Sequence, residues 1–415
     1  MEPTGIGADT QRPWRSILIA ITCIQAILAL TTRVLPLFAI PLTTAAGVSA
    51  TSAGQMAAAT SFGSMIFFLW GPRLVSRLSS LRQLQVGALL SGLAVLLCLN
   101  GEWTIILVAA FFIGLGYGPS APAGSDILMR ATPERRRGLA FSIKQAGVPL
   151  GGLVAGLALP MIAINFGLPL ALWIAAGTAA AGALGLALWR GNFEEAMTYQ
   201  NATGRRKLVP LIMAPAAMLE LVATDAKVRR LVAVSFGLGS AQGILLAYFP
   251  VLLGEQKGYS VASAGAAFAV LQIGGIVGRV FAGWLADWLR GGIAMLLWLC
   301  ISSGFAMLAL SAIGPTTSAV VIIAISAIAG ATVISWNGVF MSELARISPV
   351  GRVVEMTSAA TFVLFAGYVA SPLIAQWIFS VAGYGFGLAV AAAMPFAAAL
   401  LLIVASPFTN SERKA

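Results

Sequence analysis

The chain is divided into about twelve apolar runs, each long enough to cross the hydrocarbon core of a membrane as a helix. A helix of about 20 residues spans about 30 Å at 1.5 Å per residue. We predict an all-α membrane protein, with spans near residues 15–40, 53–72, 83–100, 103–129, 138–163, 168–189, 230–253, 261–286, 292–313, 317–345, 353–380 and 384–406. Charged residues make up only 9% of the chain, too few to cover the surface of a water-soluble domain.

One long polar connection separates the sixth run from the seventh and divides the chain into two sets of six spans. We assign residues 1–189 to the first half, 190–229 to a cytoplasmic central loop and 230–415 to the second half. The halves are similar in sequence: Arg130-Ala-Thr-Pro133 follows the fourth span, and Arg346-Ile-Ser-Pro349 follows the tenth. Such internal repeats are common in transporters, whose substrate site lies between the repeats near the bilayer midplane.

The positions of Lys and Arg predict the orientation of the spans. All but four of the 25 Lys and Arg residues fall on one side of the membrane if the N-terminus is cytoplasmic. This distribution predicts an N-in, C-in, multi-pass protein of a bacterial inner membrane, whose first apolar run remains as a membrane helix. It also accounts for the net charge of +11 without a nucleic-acid partner, so the lipid bilayer is the predicted environment.

The composition excludes several kinds of chemistry. The chain has no histidine, which is the commonest metal ligand and proton shuttle. Its three cysteines each lie inside an apolar run and are most simply small hydrophobic residues. We predict no metal, no cofactor and no enzymatic activity. A membrane-bound enzyme or a non-transporting receptor stays a remote alternative, because the central loop could bind a partner protein.

Two motifs point to a family. Gly283-Trp-Leu-Ala-Asp287, continued by Arg290, follows the eighth span and matches the G-x-L-A-D signature of the major facilitator superfamily. The corresponding first-half segment, Gly71 to Arg77, is degraded, with Ser76 in place of the expected acid. A second motif in the fifth span is similar to one frequent in exchangers, and its small residues permit close helix contact. Its residues are Gly147, Pro149, Gly151 and Gly152.

The chain resembles this superfamily over essentially its whole length. The resemblance implies two pseudo-symmetric six-helix bundles that rock about a site at the bilayer midplane. Segments 142–147 and 335–338 are also similar to the bacterial branch grouped with cyanate and nitroimidazole transporters. The exchanger-like motif keeps open an alternative function, a drug or metabolite efflux antiporter.

Charged residues near the cytoplasmic helix ends form the predicted gate. An acid such as Asp287 can accept hydrogen bonds from the N-terminal N–H groups of another helix, or pair with Arg290. Asp126 and Glu343 can pair with the basic loops, which include Arg77. These contacts would hold the inner side closed and break when it opens. The alternative is that they only end helices and fix the topology.

Three basic residues lie inside the predicted spans, namely Arg33, Lys144 and Arg279, whereas no Asp or Glu lies there. A charged side chain at the helix centre costs about 2.5–3.5 kcal/mol on insertion scales, so each of the three needs a partner. Without a carboxylate at that depth, the partner is water in a cavity or an anion that binds and leaves. The sequence therefore predicts a small anionic substrate.

Arg279 is the first candidate for substrate contact, because it lies about 12 Å along the helix from Asp287 and hence near the midplane. Arg279-Val-Phe-Ala-Gly283 resembles the eighth-span Arg-Pro-x-x-Gly of monocarboxylate porters, with Val280 in place of proline. The resemblance implies that Arg279 holds a substrate carboxylate, which a planar guanidinium suits well. The alternative is a structural arginine hydrogen-bonded to helix carbonyls.

Five further residues complete the predicted substrate site. Arg33 either reaches the cavity or extends to the outer interface, and Lys144 either lines an inner vestibule or extends to the cytoplasmic headgroups. Gln145, Trp336 and Asn337 lie at mid-span, where Trp336-Asn337 interrupts the tenth apolar run. Asn337 either lines the pocket or forms an interhelical hydrogen bond. Other mid-span polar residues are interpreted as helix packing, among them Gln25, Tyr117, Gln242, Gln272 and Tyr368.

The predicted function is secondary active transport of a small, carboxylate-type organic anion by alternating access. A proton is a candidate for the co-transported ion, bound by Asp126, by Glu343 or by the anion itself; exchange and facilitated transport stay open as well. The absence of a buried carboxylate in the predicted spans argues against the efflux of cationic drugs.

Overall fold

The computed structural model describes residues 14–74, 77–133, 136–188, 191, 219–220, 222–223, 225–289, 291–348 and 353–404. Regular structure in these residues is helical throughout, so the predicted all-α class is confirmed. Most of the predicted central loop lies outside the described residues, and so does Arg290.

The α-helices are named here in chain order. The described part of the chain contains α1 (Trp14–Leu37), α2 (Ala39–Ala45), α3 (Ala53–Leu74), α4 (Ser80–Leu97), α5 (Trp103–Tyr117), α6 (Pro122–Ala131), α7 (Arg137–Phe166), α8 (Leu168–Leu188), α9 (Ala226–Lys257), α10 (Val261–Leu289), α11 (Gly292–Ser311), α12 (Ala319–Val333), α13 (Asn337–Ile347) and α14 (Val353–Val404). We call α1–α8 the first set of helices and α9–α14 the second set.

Ten helical segments of the described residues are long and apolar enough to cross a membrane. One of them supplies two crossings, because α14 is 52 residues long and its backbone leaves the helical conformation at Gly383 (φ 78°, ψ 168°). The 22-residue α3, which is rich in Ala, Gly and Ser, is not one of these ten segments, but it packs between them on both α5 and α14. With α14 divided at Gly383 and α3 included, the described helices form the predicted twelve crossings.

The fourth and tenth crossings are each built from two helices. A 3-10 turn at Gly118–Ser120, which includes Pro119, joins α5 to α6. Residues 334–336 separate α12 from α13, so the helix breaks close to the point where Trp336-Asn337 interrupts the apolar run. Each break leaves backbone carbonyl groups without the hydrogen bonds of a continuous helix, and these groups need other donors.

Two helices of the first set carry the main contacts with the second set. Helix α7 packs against α1 on one side and against α10 on the other, and α3 packs against α14. At the latter interface the rings of Phe68 and Phe365 meet edge to face, with their centroids 5.0 Å apart. These contacts place α1, α5, α7, α10 and α14 around a common interior.

The glycines of α7 permit this close approach. A Cβ atom at Gly151 would overlap the Ala26 carbonyl oxygen of α1, and one at Gly152 would press on the Gln272 side chain of α10. Glycine at both positions therefore lets α7 touch helices of both sets. The predicted packing motif, Gly147, Pro149, Gly151 and Gly152, lies wholly within α7.

Candidate functional site

Arg279 lies on α10, and its guanidinium contacts carbonyl groups of both sets of helices. Its Nη1 donates to the Gln145 carbonyl of α7 at 3.0 Å. Its Nε and Nη2 donate to the Ile334 carbonyl at 3.2 and 3.1 Å. Ile334 follows the C-terminus of α12, where the helix dipole favours a cation. The helix-carbonyl contacts kept open as the alternative for Arg279 are therefore present.

Arg33 lies on α1 and points into the interior between the sets. Its Nε is buried, and no described residue accepts a hydrogen bond from that nitrogen. Arg33 and Arg279 interact electrostatically with each other, and both interact with Tyr117 of α5 and Tyr368 of α14. Four side chains from four helices thus share one region.

Two glutamines add neutral polar groups to this region. The Gln25 Nε2 donates to the Tyr117 hydroxyl at 3.4 Å, and the buried Gln25 Oε1 has no partner among the described residues. Gln272 lies seven residues before Arg279 on the same face of α10, and its buried Nε2 also lacks a partner. Buried polar atoms nearly always form hydrogen bonds, so these atoms have a capacity that a bound polar molecule can fill.

We call Arg33, Arg279, Tyr117, Tyr368 and Gln25 the central cluster. It carries two positive charges and no carboxylate. Helices α1 and α5 contain no Asp or Glu, while α10 has Asp287 near its C-terminus and α14 has Glu355 near its N-terminus. Among the described residues, no group of three or more His, Cys, Asp or Glu could hold a metal ion. The cluster is therefore suited to an anion.

Lys144 is buried beside the break in the fourth crossing. The side chain is only 2% exposed, and its Nζ donates to the Ala121 carbonyl and to the Ser125 hydroxyl, both at 3.0 Å. It therefore neither extends to the headgroups nor contacts the central cluster through a hydrogen bond. Lys144 and Arg279 are similar in one respect, since each donates to a backbone carbonyl beside a break between two helices.

Three of the predicted substrate-contact residues lie near the cluster but have other partners. The Trp336 Nε1 and the Asn337 Nδ2 both donate to the Gln242 Oε1 of α9, at 3.0 and 3.2 Å. Asn337 thus forms the interhelical hydrogen bond kept open as its alternative. Gln145 has an exposed side chain and contributes its backbone carbonyl to Arg279.

Asp126 and Glu343 occupy equivalent positions at the basic side of the two sets. Asp126 Oδ2 accepts a hydrogen bond from Ser80, the first residue of α4, at 2.6 Å, and Oδ1 pairs with Arg130 at 2.8 Å. Glu343 pairs with Arg346 at 2.8 Å, and its carboxylate lies against Gly292, the first residue of α11. Each carboxylate thus stabilises a helix N-terminus within its own set.

The remaining predicted gate residues lie on the same side. Asp287 is exposed near the end of α10, and Arg77 is exposed in the turn between α3 and α4. Arg290 lies outside the described residues.

The central cluster is only partly buried in this conformation, since Arg33, Tyr117, Arg279 and Tyr368 each keep some exposed surface. Two clefts in the described surface lie at the ends of the molecule. One is lined by basic residues such as Lys227 and Arg230, and the other by apolar residues such as Ile40 and Pro250.

The structure adds Tyr117, Tyr368 and Gln25 to the predicted site, although the sequence alone favoured helix packing for them. Each is a polar residue in the middle of an apolar run, which was the available signal. The sequence does not give the rotation of one helix relative to another, so it could not show that these residues meet.

Comparison with known proteins agrees with the fold. The family model for the Major Facilitator Superfamily matches residues 21–372. The chain is 25% identical over 292 residues to an uncharacterized MFS-type transporter of Mycobacterium tuberculosis strain H37Rv and to its counterpart in strain CDC 1551. The match covers 69% of this chain and 60% of each relative, so the chain spans less than two thirds of these relatives.

A solved structure shows the same architecture along almost the whole chain. It is that of a bacterial homolog of the human lysosomal transporter Spinster, in an inward-facing and unoccupied conformation. The TM-score is 0.66 and the sequence identity is 15%, with 97% of each chain covered. At this identity the likeness concerns the fold alone.

Proposed function

Because this chain belongs to the Major Facilitator Superfamily, we propose that it is a secondary active transporter that moves a small organic anion across the membrane by alternating access. The observation that carries the proposal is the pair Arg33 and Arg279, with a buried, unpartnered Arg33 Nε and no carboxylate in the central cluster. Burying a cation costs several kcal/mol unless an opposite charge compensates it. A bound anion supplies that compensation.

The surroundings of the two arginines favour a carboxylate on a small hydrocarbon frame. A guanidinium donates two parallel N–H bonds to a carboxylate, and the Nε of Arg33, which has no partner among the described residues, is available for one of them. The hydroxyl groups of Tyr117 and Tyr368 can donate to the same anion, while their rings offer apolar contact to its carbon atoms. Gln25 and Gln272 can bind neutral polar groups of the substrate.

Alternating access fits the position of the cluster between the two sets. In the proposed cycle the sets rock about the bound anion, opening the cluster first to one side and then to the other. Asp126 and Glu343 keep neighbouring helices of one set together while the sets separate. Asp287 and Arg77, at the same side, are the proposed gate contacts between the sets.

We further propose the N-in, C-in orientation in a bacterial inner membrane, from the placement of Lys and Arg. Our proposal for the coupling ion depends on which acidic side chains could carry a proton. The chain has no histidine, and Asp126 and Glu343 already form ion pairs. We therefore favour a proton that travels with the anion, or an exchange of anions, over a proton carried by a side chain in mid-membrane.

Uptake of radiolabelled carboxylates into proteoliposomes tests the proposal. We expect the wild-type protein to transport at least one small carboxylate, and Arg33→Gln to lower its affinity at least tenfold. Arg82→Gln is the matched control, because it makes the same change at an exposed position in the first turn of α4. Unchanged affinity in Arg33→Gln would contradict the proposal. Transport of neutral or cationic compounds that is equal in both variants would support an exporter instead.

A further inference from the structure

We propose that the substrate is a dianion whose two negative charges lie on Arg33 and Arg279, one on each. This inference rests on the proposed function and narrows it to doubly charged anions such as dicarboxylates. It follows from the charge of the central cluster rather than from any motif.

The two guanidinium groups belong to different sets of helices and repel each other. Arg33 lies on α1 and Arg279 on α10, and each acts electrostatically on the other within the cluster. A carboxylate to offset the repulsion is absent from the described residues of the cluster, so the empty site carries a charge of +2.

Backbone carbonyls compensate Arg279 only in part. The carbonyls of Gln145 and Ile334 accept three of its five N–H donors, and two donors remain for a ligand. A helix C-terminus is equivalent to about half a negative charge, which leaves a net positive charge on Arg279. Arg33 lacks even this compensation at its Nε.

A monoanion would therefore neutralise one guanidinium and leave the positive charge of the other without compensation in a partly buried site. A dianion neutralises both, and it also links α1 to α10 while it is bound. Because uncompensated buried ions cost several kcal/mol, the difference between the two ligands should be measurable as affinity.

Binding of charge-matched pairs of anions to the purified protein tests this inference. The pairs are butanoate and succinate, pentanoate and glutarate, and nitrate and sulfate. Each is titrated at constant ionic strength and at a pH where both carboxyl groups are ionised. In the pair whose size fits the site best, we expect the dianion to bind at least tenfold more tightly than the monoanion of the same pair, a difference of about 1.4 kcal/mol.

Variants of Arg33 separate charge from shape. In Arg33→Gln we expect the preference for the dianion to fall to about threefold or less. Arg33→Lys keeps the charge and should retain most of the preference, and it also serves if Arg33→Gln does not fold. Arg82→Gln should leave the preference unchanged.

The outcomes distinguish this inference from the proposed function. Equal affinity for monoanion and dianion in the wild-type protein would overturn the dianion inference and leave anion transport standing. A dianion preference that survives in Arg33→Gln would also overturn it. If no anion of either charge binds, both the inference and the proposed function fail.

Discussion

The Tyr248 hydroxyl donates a hydrogen bond to the Thr51 carbonyl at 2.7 Å and so joins α9 of the second set to the turn before α3 of the first set. The same hydroxyl lies 3.2 Å from the Pro372 carbonyl of α14. Tyr248 is 1% exposed, and its ring packs on Phe379 with centroids 4.7 Å apart. These contacts close the end of the molecule that lies opposite the basic side.

We expect Tyr248→Phe to favour opening at this end. Losing a buried hydrogen bond costs about 1 kcal/mol, which shifts an open–closed equilibrium by about fivefold. Spin labels on Ala45→Cys and Thr316→Cys, two exposed positions at this end, report the change as a longer distance population. Cys23, which is exposed, is first replaced.

Tyr384→Phe is the matched control for that experiment. Tyr384 lies in the same aromatic cluster, but its buried hydroxyl has no partner among the described residues. Its removal should leave the label distances unchanged. Equal effects of the two substitutions would mean that the Tyr248 hydrogen bond does not hold this end closed.

Gly151 should tolerate no side chain. We expect Gly151→Ala to lower the free energy of unfolding by about 1–3 kcal/mol, because the new Cβ overlaps the Ala26 carbonyl and pushes α1 from α7. Thermal melting in detergent measures the loss. Gly177→Ala is the control, since nothing lies within 4 Å of a Cβ at that position of α8. A melting temperature equal to that of the control would contradict close α1–α7 packing.

Lys144 should act on stability rather than on substrate affinity. Lys144→Met removes the donor to the Ala121 carbonyl and the Ser125 hydroxyl. The Ala121 carbonyl keeps its hydrogen bond from the Ser125 backbone, whereas the Ser125 hydroxyl loses its partner. We expect a loss of about 1–3 kcal/mol, larger than that of Ser125→Ala, with ligand affinity within threefold of wild type. A large loss of affinity at unchanged stability would instead place Lys144 in the substrate site.

Ser80 and Asp126 should be energetically coupled. A short, charge-assisted hydrogen bond joins them, and bonds to charged groups contribute about 1.5–3 kcal/mol. A double-mutant cycle with Ser80→Ala and Asp126→Asn, measured by thermal or denaturant unfolding, should give a coupling energy near the lower end of this range. A coupling energy near zero would mean that Asp126 acts on α4 only through the helix dipole.

The predicted gate illustrates the limit of reading charges from the sequence. Asp126 and Glu343 do lie at helix ends and do pair with basic residues, as expected. Their partners are on their own helices, Arg130 and Arg346, rather than in the opposite half. Which of two nearby basic residues an acid selects depends on distances of a few ångströms, and spacing along the chain fixes only the local candidates.

What the sequence determined by itself is the set of crossings and the kind of charge they contain. A membrane helix must form its backbone hydrogen bonds internally and present apolar side chains to the lipid. Each crossing can therefore be recognised from a single run of residues. The interruption at Trp336-Asn337 and the isolated cations Arg33, Lys144 and Arg279 can likewise be recognised from the residues immediately around them.

Only the tertiary structure decided what those cations touch. Arg279 reaches carbonyls 134 and 55 residues away, at Gln145 and Ile334, and Arg33 interacts electrostatically with Tyr368 of the other set. Such contacts depend on how each helix is rotated about its axis and how closely glycines let it approach its neighbours. The sequence therefore indicated that positive charge lies inside the membrane, whereas packing decided that the Arg33 Nε lies without a partner among the described residues.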